Sequence, residues 1–187
     1  MSRTSDNPKL PGQLPGPMNS QSSDEFLFRN RTSGLHGQPL YSPDHVITNF
    51  MAILEDLPIK EALDIFALGP FQIRQRKLMA QQCQALYIAL WGMALMSSFP
   101  DAHWEIFDDY WLQERAKSGK DRTFSERQTL ARQYLEHLQE HGSADFSSVS
   151  RHLLSHLEFD EPRQKAITLK LALHLRKVYM YVFNNLM

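Results

Sequence analysis

Thiol chemistry is nearly absent from this chain: Cys83 is its single cysteine among 187 residues. One cysteine excludes an intrachain disulfide and any Cys-x-x-Cys metal or redox pair. It sits among Gln81, Gln82 and Gln84 with no cationic side chain beside it. An inert core thiol is the reading that follows, since a reactive cysteine needs a neighbour that stabilises the thiolate. An excess of charge of either sign is also lacking. Lys and Arg number 20 and Asp and Glu 21, a formal net charge of −1. A balanced chain carries no global electrostatic footprint for a phosphate backbone, which argues against nucleic acid as a partner. The cluster Arg74, Arg76 and Lys77 is too small to reverse that argument.

Long hydrophobic runs are scarce too. Residues 78–99 form the one candidate for a membrane span, and residues 85–96 are apolar throughout. Gln81, Gln82, Gln84, Ser97 and Ser98 cut the apolar part to about twelve residues, where spanning takes about twenty. A buried central helix is the better expectation, and a membrane partner is disfavoured. Residues 1–7 are polar and no apolar stretch follows before Phe26. That pattern lacks the features of a secretory signal and points to a cytoplasmic location. Phosphate-cradling glycine loops, a G-x-S-x-G elbow and alternating strand patterns are likewise missing from the sequence.

What the chain does have is a division of composition. Residues 1–41 hold Pro8, Pro11, Pro15 and Pro17 with several glycines and serines and few large apolar side chains. Proline removes backbone donors and restricts its predecessor, and so little apolar surface cannot offset the entropy of ordering. Residues 1–41 are therefore expected to be a disordered tail, and 42–187 a single helical domain. One stretch of the tail, residues 24–31, differs. Asp24 and Glu25 precede Phe26, Leu27 and Phe28, and Arg29 and Arg31 follow. Apolar anchors between charges suit a short docking segment for a partner groove, or one that folds back on the chain itself.

From residue 42 onward the apolar residues recur at helical spacing. Ser42, Pro43 and Asp44 make a helix start, with a side-chain cap, a preset φ and an acid in the first turn. A helix is expected from there to the residue before Pro58, and a short one over 58–68 with Gly69 as its stop. A long one is expected over 70–98, apolar on every face in its second half and so buried all round. Gly92 within it costs about 1 kcal/mol relative to alanine, which a close helix crossing would justify. Further helices are expected over about 101–117, from Thr123 or Ser125 to Gly142, from Ser143 or Asp145 to about Leu157, and from Pro162 nearly to the end. The fold class is all-α: an irregular bundle of six to seven helices.

Two constellations could carry function. His137-Leu138-Gln139-Glu140-His141 is similar in spacing to the H-x-x-E-H zinc motif of the inverzincin metallopeptidases. That resemblance implies two zinc ligands on one helix face and a glutamate beside them. The motif runs into Gly142, and those peptidases resemble larger α/β domains that a strandless chain cannot supply. A solvated helix end is the expected reading, with no catalytic residue and no cofactor. A second i,i+4 pair, His152 and His156, lies on the next helix. An antiparallel hairpin would bring His137, His141, His152 and His156 together as the weak alternative metal site. The other constellation is the last helix. Ile167, Leu171, Leu175, Val178, Val182 and Leu186 already fill one apolar arc, and Leu169, Leu173, Met180 and Phe183 fall outside it. A surplus face implies either a second central pillar or a protein partner, including a second copy of the chain.

Three functional expectations follow. The first is a non-enzymatic interaction module, such as an adaptor, chaperone or assembly subunit, using Phe26, Leu27, Phe28, Arg29 and Arg31 of the tail and the surplus face of the last helix. The second is a metal-dependent hydrolase centred on His137 and His141. The third is a translocated protein whose unfolded start serves as an export signal. Acidic and aromatic residues interleave at Trp104, Glu105, Phe107, Asp108, Asp109, Tyr110 and Trp111. Core packing is the expectation for those rings, since aromatics on both sides of a helix usually face inward.

Overall fold

The computed structural model describes residues 42–118, 122–141 and 145–186. The tail, the segment at 24–31 and the expected export signal lie outside the described residues. Within them are seven helices and no strand. They are α1 (Pro43–Asp56), α2 (Ile59–Ile65), α3 (Ile73–Ser98), α4 (His103–Ser118), α5 (Arg122–His141), α6 (Ser147–Leu154) and α7 (Glu161–Asn184).

Local chemistry starts several of them. The Ser42 hydroxyl accepts a hydrogen bond from the His45 N–H at 3.3 Å, and Pro43 opens the first turn of α1. The Asp145 carboxylate accepts from the Ser147 N–H at 2.9 Å where α6 begins. Proline occupies the first turn of α7 as well. In each case a donor without an intrahelical partner is either satisfied or absent.

α3 is the pillar. From Ala85 to Leu95 every side chain is buried, and Trp91, Tyr87, Leu86, Ile88 and Leu90 are all fully inside. α5, α7, α4, α2 and α1 pack around it. That second half has no solvent face, so it carries no amphipathic pattern and its burial must come from neighbours on all sides. Gly92 marks a close approach: a Cβ placed there would lie 3.0 Å from Leu135 of α5 and 3.1 Å from Phe107 of α4. The crossing inferred from the sequence is therefore present. Among the described residues no helix is long and apolar enough to cross a membrane.

Three of the four rings of α4 take the expected core positions, and Trp104 does not. Phe107, Tyr110 and Trp111 enter the core, where Phe50 stacks on Trp91 with centroids 4.1 Å apart. Tyr110 meets Trp91 edge-on at 5.2 Å. Trp104 stays half exposed and Leu112 is 63% exposed.

Two boundaries differ from the sequence expectation. α2 ends at Ile65, and the residue that takes the left-handed conformation after it is Ala67, with φ 50°, rather than Gly69. Two tertiary tethers hold the turn: Arg163 donates to the Ala67 carbonyl at 3.3 Å, and Arg76 to that of Leu68 at 3.1 Å. Pro70 does not open α3 either. The Gln72 side chain accepts from the Gly69 N–H at 2.6 Å, and the Gln72 N–H bonds the Gly69 carbonyl. The chain thus makes a turn first, and α3 begins at Ile73.

Candidate functional site

α7 is held inward by Ile167, Leu171, Leu175, Val178 and Val182, all buried. The surplus residues point elsewhere. Leu169 is 62% exposed, Leu173 61% and Met180 46%. Phe183 is the exception: it is half-buried, packs on the core and lies 5.9 Å from the Tyr179 ring. Ala166, Leu169, Leu173, Arg176 and Met180 are all exposed, and their spacing alternates three and four residues. That spacing traces one seam along a helix, the pattern by which one helix receives another. Cations flank it. α7 carries Arg163, Lys165, Lys170, Arg176 and Lys177 against one carboxylate, Glu161, which Lys165 engages at 2.7 Å.

The four histidines do converge. The antiparallel turn from α5 to α6 stacks His137 on His141 with centroids 4.2 Å apart, and on His152 at 4.9 Å. His156 meets His152 edge-on at 6.0 Å. The geometry is that of stacked rings rather than of a chelate. Zinc needs nitrogen lone pairs aimed at one point about 2.0–2.1 Å away. Here the ring planes of His137 and the two histidines on either side are tilted by only 23° and 24°, so they offer each other π faces. His137 Nε2 pairs with the Ser148 hydroxyl at 3.1 Å, and His141 Nδ1–H donates to the His137 carbonyl at 3.0 Å. Among the described residues no group of three or more His, Cys, Asp or Glu side chains is placed to hold a metal ion. Burial, and then the imidazoles of His141 and His152, lower the pKa of His137. Burial and His156 lower that of His152. Both shifts favour the uncharged ring at His137 and His152, the two imidazoles at the middle of the ladder.

A further polar cluster had no signal in the sequence. Tyr87, wholly buried on α3, lies 2.8 Å from Nε2 of His174 on α7. Burial raises the Tyr87 pKa, so the hydroxyl keeps its proton and donates it to Nε2. The ring hydrogen then sits on Nδ1, which lies 4.0 Å from the Glu61 carboxylate; the carboxylate decides that assignment. Burial lowers the His174 pKa, with Glu61 opposing. Lys177 stands 3.8 Å from the same carboxylate. Deeper in the core, Tyr134 donates to Gln82 at 2.6 Å. Each contact satisfies a buried polar group and ties α3 to a neighbour.

Cys83 is buried, and burial pushes its thiol up to about 12. No thiolate chemistry is accessible there near neutral pH.

Recesses also open on the surface of the described residues. One, of about 560 Å³, runs between the turn at Ala67 and Leu68 and the segment from His156 to Phe159, with Arg163 lying over the Phe159 ring at 4.9 Å. Elsewhere on the surface Phe71 is 95% exposed and Ile73 71% exposed, apolar side chains that no periodicity indicated. Another recess, of about 170 Å³, is lined by Gln81, Gln84, Glu126 and Arg127. Neither gathers a nucleophile, a base and an orienting group into one place.

The chain matches no protein-family model, no curated protein and no solved structure. What it does has to be argued from its own surfaces.

Proposed function

We propose that the helical domain is a non-enzymatic protein-interaction module and that α7 is its docking helix. One observation carries this reading: Leu169, Leu173 and Met180 lie exposed along a single seam of a helix whose opposite face is fully engaged by the core. Isolated surface leucines need no explanation, but a line of them at three- and four-residue spacing on one helix is the pattern of a seam awaiting its partner. The cations beside it would set the orientation and selectivity of that partner, as flanking charges do in paired helices.

The hydrolase reading has less support, because the imidazoles present stacked faces and two of their ring nitrogens are engaged within the ladder. An adaptor, a chaperone and an assembly subunit share the interaction reading, and the tail segment with Phe26, Leu27, Phe28, Arg29 and Arg31 fits it as a second contact.

The test is Leu169→Asp with Leu173→Asp in the full-length chain. Both positions are solvent-facing, so helicity by circular dichroism is expected to persist while proteins that co-purify with the wild type from its host are lost. An unfolded double variant would place the two leucines in the domain's own core. Unchanged co-purification by a folded variant would remove α7 from the interaction surface.

A further inference from the structure

The partner that α7 requires has a stated chemistry: Arg163, Lys165 and Lys177 have partners within the domain, while Lys170 and Arg176 stand exposed beside the seam, and two such cations with an apolar seam call for an amphipathic surface of opposite charge. The seam from Leu169 to Met180 runs about 16 Å along the helix. Stacking α7 on α7 of another copy would set these cations against their own kind, and like charges meeting in an interface oppose it. The symmetric arrangement, otherwise the commonest for dimers, is therefore disfavoured.

α4 is the complementary surface within the same chain. Trp104 is 49% exposed and Leu112 63% exposed, two turns apart on its outer face and separated by about 12 Å. Around them stand Asp101, Glu105, Asp108 and Asp109. Asp108 already has a cation in Arg132 at 2.8 Å, so the negative character of the face comes from the other three. The cations of α4, Arg115 and Lys117, are confined to its last turn, and Lys117 lies 3.8 Å from Glu114. One helix thus offers aliphatic side chains among cations, and the other offers an indole and a leucine among carboxylates over a similar length.

We infer that the outer face of α4 from one copy docks against the α7 seam of a second copy, so that the chain self-associates head to tail. The inference rests on the reading of α7 as a docking helix and names its occupant. Because the two surfaces differ, the contact is heterologous: each copy keeps one α4 face and one α7 seam open, and assembly continues into a ring or a filament instead of stopping at a pair.

Sedimentation velocity of the full chain tests this, at concentrations up to the order of 100 µM, where contacts too weak for permanent assembly are populated. The wild type should form species that grow with concentration, and raising salt from about 50 mM to about 500 mM should weaken association at least tenfold, because exposed charges are screened. Lys170→Glu with Leu173→Glu disables the seam, and Glu105→Lys with Leu112→Lys disables the α4 face. All four positions are exposed, and circular dichroism confirms that each variant is folded. Each variant alone should be monomeric. An equimolar mixture should give a pair that grows no further, because one intact α4 face meets one intact seam. A monomeric wild type overturns the inference, as does a mixture without pairs or association that depends on the seam but not on α4. If the wild type is monomeric yet still loses host partners through Leu169→Asp with Leu173→Asp, the self-association fails while the interaction reading stands.

Discussion

Gly92→Ala sets two opposed terms against each other where α3 meets Leu135 and Phe107. Replacing a mid-helix glycine by alanine gains about 1 kcal/mol in backbone entropy and helix propensity. The new methyl would stand 3.0 Å from Leu135 Cδ2 and 3.1 Å from Phe107 Cε2, closer than such contacts are ordinarily found. Relief depends on whether those neighbours can yield. Leu135 can change rotamer, but Phe107 is wedged, with Trp91, Trp104 and Trp111 rings 5.8, 6.3 and 6.0 Å from its own. Overpacking a filled site costs about 1–3 kcal/mol, so the crowding term outweighs the propensity gain. The expected net effect is a loss of about 1 kcal/mol, or about 3 °C in Tm for a domain of this size. Urea denaturation followed by circular dichroism reads it. A double-mutant cycle supplies the internal check: with Phe107→Ala the wedged ring is gone and Leu135 can turn aside, so the same Gly92→Ala should become stabilising. A higher Tm for the single variant, or an equal effect in both backgrounds, would refute the crowding argument.

Acid should destabilise the domain. His137, His152 and His174 all have native pKa values below the ordinary imidazole value, so the unfolded chain binds more protons than the native one. Their contribution is fully present above about pH 6.5 and is lost as the pH falls from there through the native values. Urea midpoints at pH 7.5 and 5.5 should differ in that sense, and His137→Gln with His152→Gln should reduce the difference; a midpoint that rises in acid would reverse the assignment. Tyr87→Phe leaves His174 Nε2 buried without its donor and should cost about 1–3 kcal/mol, measured by the same midpoints. Near-zero loss would show that Nε2 finds another donor. Cys83 should resist a thiol reagent in the native protein and react stoichiometrically in denaturant; rapid native labelling would contradict its burial.

Much of the fold was legible because helix starts and helical periods are local. Ser42 with Pro43 marked α1, Pro162 marked α7, and the unbroken apolar second half of α3 announced its burial before any partner was known. The turn at 66–72 was misjudged for the opposite reason. Gly69 is the locally permissive residue, yet Ala67 takes the left-handed conformation, its carbonyl held by Arg163 from 96 positions away and that of Leu68 by Arg76 from the first turn of α3. The surplus apolar character of α7 could be counted from spacing. Which of its residues face water could not, since Phe183 is covered by packing on the core, beside Tyr179. The approach of the four histidines followed from a short connection between two helices. Their stacking did not, because spacing places Cα atoms and leaves ring orientation to the Ser148 and backbone hydrogen bonds. The pairing of Tyr87 with His174 joins residues 87 positions apart and leaves no trace in either neighbourhood.

The all-round burial of α3 also bears on synthesis. Its neighbours α4, α5 and α7 all follow it in the chain, so it is made before most of the surfaces that cover it exist. At about 5–20 residues per second, the stretch from Ser98 to the end of α7 takes roughly 4–17 s to emerge. Throughout that interval Leu86, Ile88, Leu90 and Trp91 belong to a nascent chain with no α7 to shield them. The interval before α7 emerges is the one in which the apolar surface of α3 has the fewest of its covering helices.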